Sequence, residues 1–254
     1  MNGAMTFDGH RNTLLAILML AAIAPRTRAQ GVAPADTVMP VKFTANLGLA
    51  AASGNTNVTT ITAGDELIWK RGSWGLKQVF ALIYGKSNGV ETANQWGLGL
   101  RGDYALSKRW ALYLGARYDR NRFAGYDSRV GEDVGVIWNA VVAPKDKLDL
   151  EAGFGLTQQQ DTSGLKSNFP NGRFAAIYRH TFKEKTYFQE TAVALPDLKD
   201  SQNLRLNSLT ELIAPISGSI AMRFSYLVQY DRQPADTSIK TTDQLLTAGL
   251  QFSF

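Results

Sequence analysis

From Val41 to Phe254 the chain alternates apolar and polar side chains in runs of ten or more residues, broken by clusters of Gly, Asn, Asp, Ser and Pro. A period of two places alternate side chains on opposite faces of a β-strand, and the helical period of 3.6 is almost absent. The pattern is clearest where Ile220, Met222, Phe224, Tyr226, Val228 and Tyr230 alternate with Ala221, Arg223, Ser225, Leu227, Gln229 and Asp231. Leu148, Leu150, Ala152, Phe154 and Leu156 oppose Asp149, Glu151, Gly153 and Gly155 in the same way. About twelve strands are predicted, starting near Val41, Val58, Trp74, Glu91, Arg109, Ser128, Lys147, Asn171, Lys185, Gln202, Ser219 and Lys240.

Half-greasy strands suit either a soluble sandwich or a barrel in lipid. The connections favour the barrel. Arg71-Gly72-Ser73, Leu106-Ser107-Lys108, Ala143 to Asp146, Lys183-Glu184 and Pro215 to Gly218 are tight. Between them come longer polar connections at Phe123–Asp127, Gln158–Pro170, Leu195–Ser201 and Arg232–Ile239, although Ser53–Asn57 and Lys86–Gly89 are short. Short turns at one end and longer loops at the other, with an even strand number, mark bacterial outer-membrane barrels. Aromatic residues sort with the ends: Trp69, Trp74, Trp110 and Trp138 lie near tight turns, and Tyr84, Trp96, Tyr118, Phe123, Tyr126 and Tyr230 toward the other side. The reading is an all-β, antiparallel transmembrane β-barrel over residues 41–254, with both termini periplasmic. Two strands fit poorly. Asp65 shares its face with Leu67 and Trp69, so a bulge or inward phase shift is expected there; the strand Leu76–Tyr84 is apolar on both faces, with Gln78 outward.

The one dense apolar run, Thr13–Ala24, follows Arg11 and precedes small residues at Thr27 and Ala29. That is the pattern of a secretory signal peptide, residues 1–29, followed by a periplasmic segment at 30–40. Removal of Arg11, Arg26, Arg28 and Asp8 lowers the formal net charge of +5 by two. So slight a balance in an exported chain gives no case for nucleic acid. The chain has no cysteine, and His180 is the one histidine left after cleavage. Disulfides, thiolate chemistry and histidine-clustered metal sites drop out, and no cofactor is implied.

The inward positions carry Arg101, Arg117, Arg173, Arg179, Arg205 and Arg223 with Asp103, Asp119, Asp133, Asp149, Glu151, Glu190, Glu211 and Asp231. Mixed signs in a poorly solvated lumen read as a bracing ion-pair lattice, because a selective pore favours one sign. Inward Gly97, Gly99, Gly115, Gly135, Gly153 and Gly155 leave room that favours a channel. Lipase-type and protease-type barrels need a histidine beside Ser or Asp at the outer rim, whereas His180 lies near a tight turn and shares its parity with outward Phe174, Tyr178 and Phe182. No catalytic residue is named, and the chain reads as no enzyme. A structural or envelope-stress barrel is the first reading and a narrow channel for small polar or ionic solutes the alternative.

The last strand runs Thr247, Gly249, Phe252 and a terminal Phe254, which looks like the signal recognised by the barrel-assembly machinery. With Gly48-Leu49-Ala50 leading into Ser53-Gly54-Asn55-Thr56, then Tyr118-Asp119-Arg120, Asp127 to Gly131, Leu150 to Gly155, Tyr230-Asp231 and Thr242-Asp243, the chain resembles the salt-induced outer-membrane protein family over nearly its whole mature length. That resemblance implies an outer-membrane barrel, induction under salt stress and no catalytic residues. Its expected surroundings are outer-membrane lipid and lipopolysaccharide, with the barrel-assembly machinery as partner during insertion.

Overall fold

The computed structural model describes residues 41–52, 58–183, 186–234 and 239–254. Twelve strands run in chain order: β1 (Val41–Ala52), β2 (Val58–Arg71), β3 (Trp74–Ser87), β4 (Val90–Ala105), β5 (Trp110–Asn121), β6 (Tyr126–Val142), β7 (Asp146–Asp161), β8 (Lys166–Thr181), β9 (Tyr187–Pro196), β10 (Leu204–Ser217), β11 (Ile220–Asp231) and β12 (Thr242–Ser253). Each pairs antiparallel with its sequence neighbours, and β12 returns to β1, so the sheet closes into a barrel with no free edge. Closure is what lets a β-structure stand in lipid, where an unpaired peptide group would have no water to bond. The expected signal peptide at 1–29 and the 30–40 segment lie outside the described residues, as does the Ser53–Asn57 connection.

Turn chemistry follows the residues present. Asn88 and Gly89 join β3 to β4 with φ of 48° and 82°, the left-handed pair whose twist matches a tight hairpin. Gly72 and Gly218, at φ 59° and 50°, serve β2–β3 and β10–β11, where a side chain would strain the backbone. The alternation in sequence becomes two surfaces. Leu47, Leu49, Leu98, Leu100, Leu112, Leu114, Phe154, Phe174, Met222, Phe224, Leu246 and Leu250 are exposed on the outer wall, which in a membrane is covered by acyl chains. Aromatic pairs cap this band at both ends. Trp74 packs on Tyr104 at 4.8 Å and Trp110 on Trp138 at 6.0 Å near the tight turns, while Trp96 meets Tyr118 at 4.9 Å toward the other end.

Two expectations are corrected. The stretch Gln158–Pro170 is no long loop: β7 continues to Asp161, β8 starts at Lys166, and Gln158, Gln159 and Gln160 pair with Asn168, Ser167 and Lys166. Strands that leave the apolar layer keep their hydrogen-bond ladder but lose the alternation that betrays them. No bulge rescues Asp65 either. The β1–β2 and β2–β3 ladders run without a register shift through Ala45↔Asp65↔Phe80, so its side chain faces outward.

Candidate functional site

The interior is organised by an opposition between large polar residues and glycines. Arg101 is registered against Gly115, Arg117 against Gly99 and Gly131, Arg173 against Gly153, Tyr113 against Gly135, and Arg223 against Gly249. Directly opposed residues share one face of the sheet, so a glycine lets its neighbour's long side chain lie across the wall. Most inward glycines are therefore filled. A Cβ on Gly135 would come within 2.7 Å of the Tyr113 ring, one on Gly97 within 2.6 Å of Asp119, and one on Gly115 within 3.1 Å of Asp133. Gly99 alone of the six expected to leave room has nothing within 4 Å.

Glu151, only 7 % exposed, is the hub of the densest cluster. Arg101 holds both its oxygens, Nη2 at 2.9 Å and Nη1 at 3.1 Å, and its own Nε bonds Asp103 at 2.7 Å. Arg173 donates to Glu151 from the other side and stands 4.0 Å from Asp133. Both guanidiniums lie over Tyr113, with ring-centre distances of 4.3 and 5.4 Å. Such a bidentate, aromatic-backed arrangement fixes geometry as well as charge. A second group joins Arg223 Nε to Glu211 at 2.8 Å, Arg223 Nη1 to Asn46 at 3.3 Å, and Arg179 through Gln189 to Glu211. Arg117 pairs with Asp119 at 3.0 Å. Arg129 of β6 reaches Asp231 of β11 at 3.5 Å across the lumen, five strands away round the sheet.

The wall made by β3 is different. Its inward residues are Gly75, Lys77, Val79, Ala81, Ile83 and Gly85, and the charged contact there is Lys77 with Glu66 of β2 at 2.5 Å. Val79 is 37 % exposed although it faces the interior, Ala81 beside it is also exposed, and Gly99 is registered against Val79. Open space thus lies along the middle of β3, beside the filled stretch that begins at β4.

Residues 45–254 match the protein family described as "Protein of unknown function, DUF481". The chain belongs to this family. The uncharacterized protein YdiY of Escherichia coli (strain K12) is 22% identical over 225 residues, covering 87% of this chain and 86% of that protein. Among solved structures, the NanC porin is similar with a TM-score of 0.50 and 13% identity, over 82% of this chain and 98% of that one. The translocator domain of the autotransporter NalP from Neisseria meningitidis gives 0.48 and 13%, over 84% and 87%. The fold of this DUF481 chain is that of outer-membrane barrels, as its alternation predicts.

One interior assignment is overturned. Glu190 is registered between Tyr178 and Thr210 on the row that carries Phe174 and Leu206, so it points outward. Ser208 and Thr210 donate their hydroxyls to it at 2.6 and 2.5 Å. The inward row of β9 is instead Leu195, Val193, Thr191 and Gln189, so the rule that charge marks the lumen fails where neighbouring hydroxyls satisfy an outward carboxylate. His180 also sits on the outer face, at the tight-turn end, where Asp146 bonds its Nδ1 at 2.7 Å and accepts the Tyr178 hydroxyl at 2.8 Å. Of the C-terminal residues, Thr247 is buried against Ser225 at 2.6 Å. Gly249 lies too close to Leu47 and Gly48 of β1 for any side chain. Phe254 stacks on Phe43 at 6.3 Å and exchanges backbone bonds with it of 2.9 and 3.1 Å, where β12 meets β1. Sequence reasoning missed the bare β3 wall, although its apolar-on-both-faces pattern was the signal for it.

Proposed function

We propose that this protein is a narrow outer-membrane channel for small polar solutes, whose charge lattice braces one side of the lumen while solute passes along the β3 wall. The observation that carries this reading is the solvent-exposed, inward-facing Val79 beside Ala81 and the unfilled Gly99. Resemblance to a solved barrel called a porin agrees with it. In this reading the chain is exported by residues 1–29, residues 30–40 stay in the periplasm, and both termini face that side. Lipid and lipopolysaccharide cover the outer wall, and the barrel-assembly machinery reads the terminal Phe252 and Phe254. Expression induced by salt stress follows from the resemblance to salt-induced outer-membrane proteins. Conductance of the purified barrel in a planar bilayer tests the channel. Steady small openings are expected, with at least a halving in Ala81→Trp.

The cross-lumen Arg129–Asp231 contact favours a second reading, a barrel closed by its own charges with an envelope-stress role. A wild-type barrel that never conducts would establish that one. Under either reading, Phe252→Ser with Phe254→Ser is expected to lower outer-membrane insertion while export continues, measured by heat-modifiable gel mobility of outer-membrane fractions; normal insertion would remove the assembly role.

A further inference from the structure

Arg205 breaks the rule that governs the other lumenal arginines of the central lattice. It is 5 % exposed, yet its Nε is buried with no hydrogen-bond partner among the described residues. One terminal nitrogen, Nη2, donates to Thr157 at 3.1 Å, and Thr157 is itself committed to Asn171 at 2.7 Å. The guanidinium lies 5.4 Å from the Phe169 ring centre. Its registered neighbour across the β10–β11 ladder is Asp231, but that carboxylate is turned to Arg129. Arg117 and Arg129 face Arg205 across the same space, so three guanidiniums converge.

Between them is a cavity of about 120 Å³. Asn121, Tyr126, Asn207 and Gln229 supply neutral polar groups to its lining. Asp119, Asp231 and Asp243 also line it; the first two are already paired with Arg117 and Arg129. A guanidinium buried away from water is stabilised by an anionic partner that replaces the hydration it has lost. Arginine's fork matches the oxygen spacing of phosphate, sulfate and carboxylate.

We propose that the Arg117–Arg129–Arg205 cavity is a binding site for a small oxyanion, held by the three guanidiniums that converge on it. As a binding site it stands without transport; as the selectivity of a channel it rests on the function proposed above. Sulfate titrated into the folded, detergent-solubilised barrel at fixed ionic strength, followed by calorimetry, tests the site. Saturable binding with one sulfate per chain is expected. Asn207→Asp keeps size and shape but places a carboxylate in the cavity, and should weaken binding at least tenfold. Arg205→Leu should abolish it, and Lys77→Gln, on the remote β3 wall, should leave it unchanged. Absence of saturable binding to the wild-type barrel, or binding unaltered by Asn207→Asp in a folded barrel, overturns the site. Bilayer conductance measured in parallel keeps the two ideas apart. Conduction without sulfate binding sinks the site and spares the channel, while sulfate binding in a barrel that never conducts upholds the site and sinks the channel.

Discussion

Two neighbouring walls of the lumen are made from the same strand type and solve different problems. Along β4 to β8 the interior is a lattice in which Glu151 holds Arg101 and Arg173 above Tyr113, itself 2 % exposed and seated on glycines. Along β3 the inward row is short and apolar, with the half-exposed Lys77–Glu66 contact as its ion pair. The braced wall needs glycines because long side chains must lie flat against it. Along the middle of the bare wall Val79 and Ala81 stand in place of glycine and stay exposed. Charge in a barrel interior therefore does not by itself close a lumen: opposite glycine it lies along the wall, whereas Arg129 and Asp231 meet across the space.

The largest expected effect comes from the hub of the braced wall. Glu151→Gln leaves two guanidiniums without their shared carboxylate and should cost about 3 to 5 kcal/mol, read from the urea midpoint of the barrel in detergent. A loss under about 1 kcal/mol would mean that water already solvates that side and would erase the contrast between the walls. Next in size is a glycine pair. Gly135→Val forces a side chain into the Tyr113 ring and the Gly153 backbone, at about 1 to 3 kcal/mol. Gly99→Val enters open space, so its stability change should stay within about 0.5 kcal/mol while the conductance falls. Equal destabilisation by the two valines would show that Gly99 is as crowded as Gly135. Glu66→Gln is also expected to cost little. Its pair with Lys77 is about a third exposed on both sides, so screening should hold the loss below about 1 kcal/mol, and raising the salt should shrink it further.

Much of this was legible in the chain because lipid and lumen impose opposite chemistry on alternate residues. Twelve strands, the outer face and the aromatic ends follow from that period alone. Where contrast fades, legibility fades with it. The ends of β7 and β8 nearest their connecting turn are polar on both faces and read as loop, and β9 hides its phase because its inward row, Leu195 and Val193, is apolar while Glu190 faces out. Asp65 shows the same limit, since a costly outward carboxylate suggested a bulge that the uninterrupted ladders do not contain. Which arginines pair was beyond the sequence, because pairs such as Arg101 with Glu151 or Arg129 with Asp231 join strands several places apart. The glycine-against-arginine register was visible in composition but not in partner, since it requires knowing which residues face each other across a ladder.

The junction where Phe254 lies on Phe43 also sets an order in time. Eleven of the ladders join strands consecutive in the chain, whereas this one joins Thr44 to Ser253. The entropy lost on closing a loop rises with the logarithm of its length, so this last pairing is harder to reach than a hairpin by about 3 kcal/mol. The circle is therefore expected to shut last. Until it does, β1 and β12 each expose a full row of peptide N–H and C=O groups, the state in which a nascent barrel is most open to pairing with the wrong chain. The two phenylalanines act at the final moment of folding, when the sheet ceases to have ends.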